Sequence, residues 1–133
     1  MRLGVFRSLS LAFHAWVCDL TPLKIDVKVV VAERVSPSQV TYLDLSGNNI
    51  TQVHPGMDTM TALEVLRLND NRLHELPAAL FRCTCLIRLS VDNNAIERLP
   101  DSIGRCTRLT KLSMCNNRYM MPLSRAAGGP VVC

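Results

Sequence analysis

Residues 63–100 contain one phrase written twice, 23 positions apart, and nothing else in the chain restricts its fold so strongly. Leu63-Glu-Val-Leu66-Arg-Leu68-Asn-Asp-Asn71-Arg-Leu73-His-Glu-Leu76-Pro77 is followed by Leu86-Ile-Arg-Leu89-Ser-Val91-Asp-Asn-Asn94-Ala-Ile96-Glu-Arg-Leu99-Pro100. One period earlier stand Val40, Leu43, Leu45, Asn48, Ile50 and Val53, and one period later Leu109, Leu112, Met114, Asn117 and Tyr119. A unit this short cannot bury an apolar face alone. Successive units must therefore stack and share one core.

Within each unit the apolar-x-apolar pairs Leu43/Leu45, Leu66/Leu68, Leu89/Val91 and Leu112/Met114 predict short strands whose apolar side chains point inward. Stacking would pair these strands in parallel into one concave sheet. Asn48, Asn71, Asn94 and Asn117 recur where the chain must turn away from the sheet. An asparagine amide donates and accepts, so a stacked ladder of them can satisfy backbone groups that the turn leaves unpaired. The return halves read Leu76-Pro77-x-x-Leu80 and Leu99-Pro100-x-x-Ile103. Proline suits the start of a short helical or 3-10 segment, which the pattern places on the convex side. The first unit departs here, with His54-Pro55 one place later.

These residues resemble the leucine-rich repeat superfamily, in particular its short 23-residue class with Leu-Pro-x-x-Leu/Ile on the convex side, typical of intracellular Ras-group and scribble-like proteins. The resemblance implies an α/β solenoid of about 3.5 repeats, with a short parallel concave sheet and a 3-10 or short-helix convex side. The repeats divide as 40–62, 63–85, 86–108 and a partial 109–119. Such domains are expected to act as protein-interaction scaffolds, and the fold says little about chemistry.

Residues 1–39 fall outside the repeats. Val5, Leu9, Phe13, Trp16 and Leu20 share one helical face, which fits a helix capping the open apolar edge of the stack. A signal peptide is the competing reading, since Arg2 and Arg7 precede the apolar run, although His14 interrupts it. A misassigned exon is a third. After Thr21-Pro22, the alternation of Leu23, Ile25, Val27, Val29 and Val31 with polar residues predicts a strand beside the first repeat strand. Ser36-Pro37-Ser38 marks the turn into the array. At the other end, 120–133 supplies no convex segment and reads as a frayed tail or the cut edge of a longer array.

Composition excludes several functions. With 133 residues and 48% apolar content the chain suits one domain with a sizeable core. The net charge of +4 is too weak to argue for nucleic acid, and no apolar run reaches the ~20 residues of a membrane helix. Cys83 and Cys106 occupy the slot of Met60, so they read as small buried hydrophobes rather than a disulfide framework. Cys85, Cys115, Cys18 and Cys133 share no spacing, which suggests a reducing, cytoplasmic setting. A secreted recognition domain is the alternative, and it would want paired cysteines flanking the repeats. No cofactor motif or metal-ligand cluster is present, and the three histidines share no ligand spacing.

Function is expected on the concave face. Strand alternation places Tyr42, Asp44 and Ser46, then Val65, Arg67 and Asn69, then Arg88, Ser90 and Asp92, then Lys111, Ser113 and Cys115 there. Read across the strands, Tyr42-Val65-Arg88-Lys111 forms one column and Asp44-Arg67-Ser90-Ser113 the next. Adjacent Arg88 and Lys111 repel mildly and suit an acidic partner segment; the competing reading is an ordinary solvated face, partly neutralised by Asp92. Tyr42, Asp44, Arg67, Asn69, Arg88, Asp92 and Lys111 are thus the candidate contacts for a protein partner, Tyr42 being the lone aromatic anchor. Cys115 beside Ser113 is the single candidate nucleophile, and it has no histidine near it in these columns. The sequence reads as non-enzymatic.

Overall fold

Three-residue strands recur once per repeat in the computed structural model, which describes residues 28–29, 37–53 and 55–118. They are β2 (Tyr42–Asp44), β3 (Val65–Arg67), β4 (Arg88–Ser90) and β5 (Lys111–Ser113), preceded by a two-residue β1 (Lys28–Val29). The sheet order follows the chain, β1-β2-β3-β4-β5. From β2 to β5 every pairing is parallel, with Leu43, Leu66, Leu89 and Leu112 in one register. β1 runs antiparallel to β2, Val29 opposite Leu43. It lies inside the stretch whose alternation predicts a strand. The helical face around Trp16, His54, Tyr119, the residues 120–133, Cys18 and Cys133 lie outside the described residues.

Alternation does the sorting within each strand. Leu43, Leu66, Leu89 and Leu112 are buried while their neighbours face outward. Beyond the strands the lateral ladder continues: Leu45, Leu68 and Val91 N–H donate to Arg67, Ser90 and Ser113 carbonyls at 2.8 Å each. A buried leucine here excludes water on all sides, which makes its truncation worth about 2–5 kcal/mol.

The chain leaves the sheet through two ladders of side chains. Asn71 Oδ1 accepts from Ile50 N–H at 3.1 Å, and its Nδ2 donates to the carbonyls of Leu45, Leu68 and Asn69 at 2.9, 3.0 and 3.1 Å. Asn94 repeats this with Leu73 N–H and the carbonyls of Leu68, Val91 and Asp92. Asn117 repeats it with Ile96 N–H and those of Val91, Met114 and Cys115. Asn48 donates to Leu45 and Ser46 carbonyls. Asn71, Asn94 and Asn117 therefore each tie their own turn to the turn of the preceding coil.

The second ladder was not legible as one. Gly47, Asp70, Asn93 and Asn116 all take positive φ, at 73°, 56°, 54° and 54°. The left-handed region is closed to most side chains, and these three residue types tolerate it best. Asn93 Nδ2 donates to Asp70 Oδ1, and Asn116 Nδ2 to Asn93 Oδ1, both at 2.7 Å.

On the return side, 3-10 turns stand at Pro55–Thr59, Ala78–Arg82 and Asp101–Arg105, with Pro37–Gln39 ahead of the first strand. Pro77 and Pro100 precede the last two in extended conformation, φ −70° and −72°. Their missing N–H groups have no partner to lose at that position. The displaced proline of the first repeat changes nothing in register, since Pro55, Ala78 and Asp101 all begin their turns. Leu80, Phe81 and Cys83 are fully buried between the turns, whereas Leu99, Ile103 and Leu109, toward the end of the described repeats, are partly buried.

Candidate functional site

The outward side chains of β2–β5 form the columns that strand register dictates. Tyr42, Val65, Arg88 and Lys111 are successive partners, as are Asp44, Arg67, Ser90 and Ser113. A third column follows the strands: Ser46, Asn69, Asp92 and Cys115. All seven residues singled out from the sequence thus lie on one face of one sheet, in two adjoining columns and a third beside them.

The columns differ in how their polar groups are used. In the second, Asp44 receives the Ser46 N–H at 3.0 Å and the Tyr42 hydroxyl at 3.5 Å, and it lies 3.7 Å from the Arg67 guanidinium. Interaction with Tyr42, then the charge of Asp44, raises the pKa of Arg67 further above its ordinary value. Because Arg67 is half exposed, this pair contributes little to stability. It does occupy both charges.

In the third column, Asn69 Oδ1 accepts from Asp92 N–H at 2.9 Å. The Asp92 carboxylate receives the Ser113 hydroxyl at 2.7 and 2.8 Å and the Cys115 N–H at 2.7 Å. Asp92 makes no ion pair with Arg88 or Lys111, although its charge stays on the same face. Its carboxylate is turned along the sheet toward β5, where Ser113 and Cys115 donate to it. Asn69 and Asp92 brace neighbouring turns.

The first column is left over. Among the described residues, neither Arg88 nor Lys111 takes part in an ion pair or a side-chain hydrogen bond, and both are exposed. Val65 lies partly exposed beside them, with Tyr42 beyond. Two like charges one strand spacing apart, at about 4.8 Å between backbones, stand next to a small apolar patch.

The described cysteines are free thiols. Burial pushes the Cys83 thiol up to about 11, and it also raises that of Cys106. Both sulfurs sit in the core, Cys83 Sγ donating to the Met57 carbonyl at 3.1 Å. Cys115 is partly buried at the end of the third column, and no histidine lies in the three columns. No group of three or more metal-ligating side chains gathers among the described residues, and no described helix is long and apolar enough to cross a membrane. On the return side, a shallow open depression of about 560 Å³ lies between Glu75 and Pro77 of one coil and Arg98 and Asp101 of the next. Its charges are of both signs.

Two family models, each described as leucine rich repeat, match the chain over residues 61–118 and 39–57. The chain belongs to the leucine-rich repeat superfamily. A solved leucine-rich repeat protein of Leptospira interrogans superimposes with a TM-score of 0.61 at 27% identity, covering 68% of this chain and 26% of that one. The chain spans about a quarter of the length of that relative. No curated protein matches. Leucine-rich repeat domains are in general protein-interaction modules on a fold that is typically non-enzymatic, and the parallel sheet with short 3-10 turns places this chain among them.

Proposed function

We propose that this leucine-rich repeat chain is a non-catalytic interaction module of the short intracellular class, binding an acidic segment of a partner protein on its outward sheet face. The observation that carries the reading is the division of labour among the columns. Asp44 lies against Arg67, and Asn69 and Asp92 bond to neighbouring strands and turns, while among the described residues Arg88 and Lys111 make no ion pair and stand exposed beside Val65. An acidic partner would relieve the repulsion between them and add charge-assisted hydrogen bonds. The buried thiols at Cys83 and Cys106, acting as core residues, support a reducing cytoplasmic location.

The test is affinity capture from a cell lysate with the parent chain and with Arg67→Glu/Arg88→Glu/Lys111→Glu, after circular dichroism shows both folded. Partners retained by the parent and lost by the variant are expected. Partners kept by both would move the binding surface elsewhere. A parent chain unfolded by itself would shift the search for function to a longer protein.

A further inference from the structure

Resting on the acidic-partner reading, we infer that the segment bound along Tyr42, Val65, Arg88 and Lys111 is an α-helix carrying two carboxylates one turn apart, preceded or followed by two apolar residues at the same spacing.

The argument is one of repeat distances. The four residues are lateral neighbours in a parallel sheet, so the column advances about 4.8 Å per strand. A partner must match that advance to meet all four. Same-face residues of a helix recur each turn, at about 5.4 Å. Over three steps a helix overshoots the column by about 2 Å, which flexible arginine, lysine and glutamate side chains absorb. Same-face residues of an extended chain recur at about 6.8 Å, and the overshoot over three steps reaches about 6 Å, more than a strand spacing. An extended segment along the column can therefore meet the adjacent Arg88 and Lys111, off by about 2 Å, but it runs about 6 Å out of step over the full reach to Tyr42 and cannot engage all four residues.

The chemistry of the column sets the order of residues on that helix. Tyr42 and Val65 take apolar side chains, and Arg88 and Lys111 take carboxylates. The neighbouring columns do not compete for the acids, because Arg67 already lies against Asp44 and the donors of Ser113 and Cys115 are held by Asp92.

Two synthetic peptides of one composition test this by fluorescence anisotropy. One is a lactam-stapled helix with leucines at positions i and i+4 and glutamates at i+7 and i+11. The other carries prolines between the same residues to hold them extended, and a glutamine-for-glutamate helix is the neutral control. The stapled helix is expected to bind at least about tenfold tighter than the extended peptide. Arg88→Glu/Lys111→Glu should lose that binding, and a lysine-for-glutamate helix should regain it. Arg67→Glu should change it less. If the extended peptide binds as tightly as the helix, the helical inference falls and the acidic-partner reading stands. If neither acidic peptide exceeds the neutral control, both fall.

Discussion

Asn71 holds two coils together with one side chain, and its chemistry leaves no room for a near-isostere. Its Nδ2 faces three carbonyls, from Leu45, Leu68 and Asn69, while Oδ1 receives Ile50 N–H. Asn71→Asp keeps the size and the acceptor but turns the donor into an oxygen aimed at carbonyl oxygens. Each buried group orphaned in this way costs about 1–3 kcal/mol. The variant should therefore be destabilised by at least about 2 kcal/mol in urea titrations, and a parent-like midpoint would argue against the ladder. At Cys83 the consequence is a pH dependence. The folded-state thiol titrates near 11 against an ordinary 9.0, so the unfolded chain loses its proton first. The stability this thiol contributes is complete below about pH 9 and is lost as pH rises through 11. Urea midpoints should fall between neutral pH and about pH 10.5 more steeply for the parent than for Cys83→Ala. Equal falls would place the thiol in water. The asparagine slots were readable from recurrence alone, because one residue type repeated. The left-handed column was not, since Gly47, Asp70, Asn93 and Asn116 look unrelated until tolerance of positive φ is used as the criterion.

At the level of a single strand, burial and exposure alternate so sharply that neighbouring residues have opposite roles. Leu89 is fully buried between β3 and β5, and Arg88 beside it is exposed. Leu89→Ala should cost about 2–5 kcal/mol, while Arg88→Glu should melt with the parent. Matching melting curves for Leu89→Ala and the parent would contradict the register. Period-two alternation made that register legible, and with it which side chains share a column. What alternation cannot report is how side chains within the face pair with one another. The direction of the Asp92 carboxylate depends on Ser113 and Cys115 one coil away, and that is a property of the stacked state. The return turns show the same limit from the other side: proline marked their approximate start, yet how deeply each turn is buried differs, Leu80 and Phe81 being buried in one and no residue in the next.

At the scale of the whole molecule, the main packing among the described residues runs between sequence neighbours: β1 with β2, β2 with β3, β3 with β4, β4 with β5, and the turns at Pro55–Thr59, Ala78–Arg82 and Asp101–Arg105 each with the next. Such an arrangement follows from a fixed period, which is why the architecture is legible in the sequence. The ends are where periodicity stops helping, because a closing strand such as β1 answers to the sheet edge and carries no repeat signature. This neighbour-only stacking also fixes how the molecule gives way under load. Tension applied along the stack opens the coil-to-coil hydrogen bonds in sequence, like a zipper, so no step has to rupture many bonds together. Each coil of 23 residues then pays out roughly 80 Å of chain as it peels off. Pulled from its ends, the protein would lengthen at low force in a staircase of nearly equal steps, behaving as a compliant tether in any assembly that strains it.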